Sequence, residues 1–366
     1  MEYQHAATTF ASLGRSLLSL RRNQVSLVDL DDNQHHHDDY QKLVADTFLD
    51  LASASNNHVL SLTWLLRLLN SFIYCHEHFT SALLLHRPKR LAISDFFDRS
   101  LKALDICVAV GEVLDHICIC LSHAKIIVHA LSQPMSKSHA MRAKKELGEL
   151  IKLLGENNDT GSRLSGRKAN ERNNLCVLLH AIGKDLIVPP RAFDNSSVIV
   201  HTYTMSYVLA FVMRMLVVAI TCGDRGMNTN LLVPAPPGRQ YEWAAPMIAI
   251  QETIHEEWRK KGKEGCGVTG LMKELQIIER CSQRLTELVG SDQLLLEEGK
   301  ITEVRQQLLE MKDVCDSLEK GLKIFRRQVR EAFHRIIKGR NKVLVHLCRS
   351  VDSSKPFPNY VEVVSA

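Results

Sequence analysis

Between Met205 and Thr221 the chain reads MSYVLAFVMRMLVVAIT, its most apolar stretch, with Arg214 at the centre. A helix built from it either spans a bilayer or packs inside a bundle of other helices. A spanning helix needs about 20 predominantly apolar residues. The uninterrupted runs here are Tyr207 to Met213 and Met215 to Ile220, and the upstream His201, Thr202, Thr204 and Ser206 extend them only with polar groups. A central arginine costs roughly 2.5 to 3.5 kcal/mol on insertion. The balance favours a buried core helix, with Met205, Val208, Leu209, Phe211, Val212, Leu216, Val217 and Ile220 in the core. Arg214 would then lie at a bundle edge, or pair with a carboxylate while its stem packs on apolar neighbours. The alternative is a single-pass anchor over residues 205–221. The glycines and charges of Cys222-Gly223-Asp224-Arg225-Gly226 stop the helix.

Apolar residues make up 45% of the 366, but aromatics only 6%, and leucine dominates. That balance suits helices better than sheets. Helical periodicity begins at Asp38 and Asp39, an N-cap position before YQKLVADTFLDLA. Further helices are expected from about His58 to Leu85, Ser94 to Leu131, Ser138 to Leu154, Asn174 to Lys184, Glu242 to Lys261 and Thr269 to Val289. The second of these, through FFDRSLKALDICVAVGEVLDHICICLSHAKIIVHAL, would exceed about 50 Å. Residues 1–37 read as a flexible basic and then acidic segment, with loops at about 155–172 and 223–240. Residues 38–350 form the helical domain, and 351–366 a flexible tail. The first 24 residues contain Ser and Arg with one acid, Glu2, so a plastid transit peptide is an alternative to a mobile tail.

The last helix carries the most regular pattern. Ile301, Val304, Leu308, Met311, Cys315, Leu318, Leu322, Phe325, Val329, Ala332 and Ile336 recur at spacings of three and four, five heptads of an a/d seam. So long a seam requires similarly long partners. The expected fold is therefore all-α, an elongated bundle of long antiparallel helices ending in this heptad-patterned one.

No motif for phosphate, dinucleotide or zinc-hydrolase chemistry occurs. Among the histidines, His35-His36-His37 looks like a weak metal tract at most. His76-Glu77-His78 and Cys118-Ile119-Cys120 place their pairs at i and i+2, which diverge on a helix. His255, Glu256 and Glu257 make a polar face and no acid–base pair. Ten cysteines without a CxxC pair, mostly among apolar helical residues, fit a reducing compartment such as the cytosol. No enzyme activity, cofactor or metal is expected.

A basic cluster is the more informative feature. Lys323, Arg326, Arg327, Arg330, Arg335, Lys338, Arg340 and Lys342 face one acid, Glu331. Such a cluster attracts anionic lipid by about 1 kcal/mol per cation, or pairs with acidic residues of a protein partner. Nucleic acid is not expected, because no stacking aromatics interleave it. The competing reading is a solvated face, or arginines paired within the bundle.

Several blocks, in the same order, resemble the plant ROH-like branch of the BYPASS family. They are FASLGRSLLSLRRNQV, LSLTWLLRLLNSF, DFFDRSLKALDICVAV, VLAFVMRMLVVAIT followed by CGDRG, and FRRQVREAFHRIIKGRNKVL. A tryptophan commonly stands in that family where this chain has Arg214. The resemblance implies a largely helical, non-enzymatic protein linked to the exocyst, through its membrane-targeting subunit, in secretion and cell-wall deposition. BYPASS members imply the alternative, control of a root-derived mobile signal. Either implies a cytoplasmic protein, peripheral at a membrane.

Overall fold

The computed structural model describes residues 35–53, 59–86, 90–133, 136–155, 175, 177–189, 197–220, 241–263, 270–290 and 298–352. The expected N-terminal segment up to residue 34, the loops around 156–172 and 223–240, and the tail beyond Asp352 lie outside them. The chain forms two units, Met1–Asp38 and Asp39–Ala366, and the second holds the helical bundle.

All regular structure among the described residues is helical, as the composition implies. The long helices are α1 (His35–Ser53), α2 (Leu62–His86), α3 (Arg90–Ser132), α4 (Lys137–Gly155), α5 (Ser197–Ile220), α6 (Ala244–Lys263), α7 (Lys273–Gly290) and α8 (Glu298–Asp352). A short helical stretch occupies residues 177–183. At about 1.5 Å per residue, α3 and α8 run to roughly 65 and 80 Å.

α5 is the innermost element. Every residue from Val200 to Ile220 is buried, so no face of this helix meets water. Its cover comes from several directions. Tyr40 and Phe48 of α1 meet it through a Tyr40 hydroxyl to Met205 sulfur bond of 3.3 Å and an edge-on ring contact between Phe48 and Phe211. α2 and α3 pack along it. Trp243 stacks near Tyr207 with ring centroids 4.9 Å apart, and Gln251 of α6 donates to the Tyr207 hydroxyl at 3.5 Å.

Several of the polar groups on α5 are hydrogen-bonded, within the helix or to its neighbours. Thr202 and Ser206 donate to the carbonyls of Val198 and Thr202, both at 2.7 Å. The Thr204 hydroxyl and the Trp243 indole both donate to Oε1 of Gln41 on α1, at 3.1 and 2.7 Å. The C-terminal carbonyls of α5, which an isolated helix leaves unpaired, are met by the returning chain. Leu271 and Met272 donate their amides to Val218 and Ala219 at 3.1 and 2.8 Å. Only glycine fits just before them, since a Cβ on Gly270 would lie 2.4 Å from the Ala219 carbonyl oxygen.

α2 and α3 separate α5 from α8, which contacts both of them and α7. The heptad seam is the reason. Of its eleven positions the ten from Val304 to Ile336 are buried, and Ile301 is half-buried. α8 runs antiparallel to α3, with Lys125 paired to Glu319 at 2.6 Å and Asp115 to Arg326 further along. Against α7 it is also antiparallel, with Arg284 and Glu303 2.6 Å apart. Against α2 it runs parallel, because Leu62 lies at Gly321 and His76 at Gly339. The all-α bundle is therefore the architecture expected, with one parallel neighbour among the antiparallel ones.

Local chemistry fixes the helix ends. Ser61 caps α2, its hydroxyl accepting from the Trp64 amide at 3.2 Å, and Oε1 of Glu274 from α7 accepts the Leu62 amide at 3.0 Å. The turn before it holds Leu60 at φ 62°, a left-handed conformation that a leucine adopts only under tertiary constraint. Arg99 of α3 closes the short helix 177–183, donating to the carbonyls of Ile182, Lys184 and Asp185 at 2.9 to 3.1 Å. Asp185 there has φ 57°, as a helix-terminating residue does.

The glycines of α3 and α8 give a paired test. A Cβ at Gly339 would sit 2.6 Å from the buried His76 ring and 2.9 Å from the Thr80 hydroxyl, whereas one at Gly111 would meet nothing within 4 Å. Gly339→Val should destabilise by about 1–3 kcal/mol through overpacking. Gly111→Ala should stabilise by about 0.5–1 kcal/mol through helix propensity. Urea midpoints at constant m-value decide both. A neutral Gly339→Val would show that α2 and α8 are not in this close contact.

Candidate interaction face

The outward side of α8 is set by its inward side. With Val329, Ala332, Ile336 and Val343 held in the core, the intervening positions must point away. The structure divides the eight expected cations into two groups. Arg326 pairs with Asp115 on α3, and Arg335 with Glu77 on α2 and with Glu331 one turn back. Arg340 donates to the Phe97 carbonyl and lies 4.9 Å over the Phe97 ring. Burial lowers the Arg340 pKa, opposed by Asp98, while hydrogen bonding to Glu331 raises that of Arg335. These three arginines are paired within the bundle, so the eight cations are not all free on one face.

Lys323, Arg327, Arg330, Lys338 and Lys342 are exposed. At about 100° per residue, separations of four, three, eight and four residues keep all five within an arc of roughly 120°, so they form one broad stripe on the outward side. His334, exposed between Arg330 and Lys338, completes it. The stripe spans about 28 Å. Like charges four apart on a helix repel by roughly 0.2–0.5 kcal/mol per pair, so this face gains when an anionic surface covers it.

Two open grooves flank the stripe. One, of about 380 Å³, lies between α3 and α8 and carries mixed charge, Glu112 and Asp115 against Arg326 and Arg330. The other, of about 770 Å³, lies where α2 ends and α8 continues. The cluster legible in the sequence ends at Lys342, yet the helix runs on to Asp352. The i, i+4 repeat of His334, Lys338, Lys342 and His346 is the signal that marks this longer face.

The other expected features are structural. Arg214 is 6% exposed, and its Nη1 has no hydrogen-bond partner. Burial lowers its pKa, and the nearby Tyr207 opposes this. It therefore sits at neither a solvated bundle edge nor, through Nη1, a carboxylate. His76, Glu77 and His78 have separate roles: His76 is buried, Glu77 holds Arg335, and His78 rests on Tyr74 at 4.6 Å. Cys118 is exposed and Cys120 buried, as i and i+2 positions diverge. Burial pushes the thiols of Cys75, Cys107, Cys281 and Cys315 up to about 12, so none supplies a thiolate at neutral pH. No metal-ligating cluster occurs among the described residues. The side chains of His35-His36-His37 lie outside them.

The described residues thus form an all-α bundle whose last helix presents a cationic stripe flanked by open grooves. The sequence model of the family described as "Protein ROH1-like" matches residues 5–178 and 174–347. The chain is 34% identical to "Protein ROH1D" of Arabidopsis thaliana, over 91% of its own length and 96% of that relative's. It is 30% identical to "Protein ROH1A" of the same plant, over 94% and 97%. The chain belongs to the ROH1-like family. No solved structure matches it.

Two buried groups give stability predictions. Replacing a buried, incompletely bonded charge by an apolar side chain is commonly stabilising. Arg214→Met should therefore raise the urea midpoint, by an amount equivalent to roughly 1–2 kcal/mol; a fall of that size would mean that the guanidinium is well paired. Burial, then the charge of Arg335, lowers the pKa of His76 from 6.5 to about 4. The folded state thus binds fewer protons than the unfolded one between these values. Its contribution is present above pH 6.5 and lost as pH falls through 4, on the order of 3 kcal/mol in all. The pH slope of stability in this window should flatten in His76→Leu, and an unchanged slope would remove His76 as its source.

Proposed function

We propose that this protein is a non-enzymatic adaptor of exocytic secretion. Its α8 stripe engages the membrane-targeting subunit of the exocyst, the partner implied by the family resemblance. The observation that carries the reading is the segregation of cations on α8. Arg326, Arg335 and Arg340 are used inside the bundle, while Lys323, Arg327, Arg330, Lys338 and Lys342 are left in one exposed row. A rigid helix presenting aligned charges favours fast, salt-dependent association with an acidic partner. The same charges support a peripheral, cytoplasmic location, since each adds about 1 kcal/mol of attraction to anionic lipid.

Membrane anchoring is the second reading, because Val198–Ile220 is long and apolar enough to cross a bilayer. Its burial against α1, α2, α3 and α6 favours the peripheral reading.

Lys323→Glu, Arg327→Glu and Arg330→Glu together should weaken binding to the purified exocyst subunit by about tenfold or more. Far-UV helicity should not change, because none of the three is in the seam. Arg326 is excluded from the set, since its loss would also break the α3 contact. Binding that survives the triple reversal sinks the reading of the stripe. Carbonate washing of plant membranes should release the protein; retention in the pellet would favour the anchor instead.

A further inference from the structure

We infer that the groove between the end of α2 and the last turns of α8 is a docking site for an acidic amphipathic helix of a partner protein. The inference rests on the reading of α8 as the partner-facing helix, and it assigns a second contact that shares Lys338 and Lys342 with the C-terminal end of the stripe. The groove lies along the flank that α8 turns to the last turns of α2, where Leu84 is among its lining residues. With Thr80 at Gly339 in parallel register, α2 ends at His86 level with about Val345, whereas α8 continues to Asp352.

The floor is apolar, formed by Leu84, Ile337 and Val345. Val345 is 50% exposed, a large apolar side chain held in water on the groove's lining. Lys338 and Lys342 run along the floor one turn apart, and the groove extends from His334 to Arg349. No carboxylate is among the described residues that line it. The flanking groove on the other side of α8, by contrast, is internally neutralised by Glu112 and Asp115.

An apolar floor beside a single column of cations is the complement of one particular ligand. That ligand is a helix whose apolar stripe lies in the groove while an adjacent acidic stripe faces the column. From His334 to Arg349 the groove is about 22 Å long, roughly four turns of helix. A bilayer fits it less well. Of the three apolar lining residues only Val345 is exposed, while Leu84 and Ile337 are half-buried, and a lipid surface is met by several protruding apolar groups.

The test is a selection on the full chain. A display library of randomised helices about 20 residues long is selected on the wild type and counter-selected on Lys338→Glu/Lys342→Glu/Val345→Glu, three exposed positions. The enriched helices should carry Leu, Ile or Phe at i, i+3, i+4 and i+7, with Asp or Glu on one flank. They should lose about tenfold or more in affinity on the triple variant, lose less on Lys338→Gln/Lys342→Gln, and weaken as salt rises. Enrichment without acidic bias, or equal binding to the charge-reversed variant, overturns the inference. So does groove-dependent binding of phosphatidylcholine vesicles containing about 30% phosphatidylserine when no helix is enriched. The two readings fail separately. If acidic helices bind here but the exocyst subunit does not bind the chain, only the partner's identity falls. If the subunit binds the chain but no acidic helix is enriched on the groove, only the groove falls.

Discussion

The rest of the fold follows from the need to cover one helix on all sides. Most helices leave a polar stripe to water and need partners on one side only. α5 has no such stripe, so neighbours must approach from several directions. α1, α2, α3, the Tyr241–Trp243 turn, α6 and the returning backbone at Gly270–Met272 each supply part of that cover. Helices α2 and α3 then carry a second apolar face outward. The seam of α8 closes it, and the layered order α5, α2 with α3, and α8 results.

This order was largely legible in the chain. The apolar block and the five-heptad seam are strong, local signals, and the buried positions from Val304 to Ile336 are those the spacing names. What the residues could not give is which cations pair. Asp115 and Arg326 are 211 residues apart, Glu77 and Arg335 are 258, and the Phe97 carbonyl and Arg340 are 243. Each pairing depends on the register between two long helices. That register is decided at points of close approach such as Gly321 on Leu62 and Gly339 on His76, where the absence of a Cβ matters more than any side-chain pattern. The direction of α2 relative to α8 was hidden for the same reason.

Arg214 was misplaced by a sound rule applied to the wrong alternative. Arginine stems do pack on apolar surface while the head reaches water or a carboxylate. That option exists only at an edge, and α5 has none. The guanidinium is instead enclosed, with Nη1 unbonded and its charge disfavoured by burial.

The same enclosure bears on the membrane question through free energy. Moving α5 into a bilayer would strip its cover from Tyr40, Phe48, Trp243 and the facing residues of α2 and α3, all of which would then need new partners. It would also take Arg214 to the hydrocarbon, at about 2.5–3.5 kcal/mol by insertion scales. The Thr204 hydroxyl would leave Gln41, and the carbonyls of Val218 and Ala219 would lose the amides of Leu271 and Met272. Within the bundle each of these groups except the Arg214 guanidinium already has its apolar contact or hydrogen bond. The energetic case for insertion must therefore exceed the whole of that existing cover, and a segment interrupted by arginine and preceded by His201, Thr202, Thr204 and Ser206 offers the bilayer little to set against it.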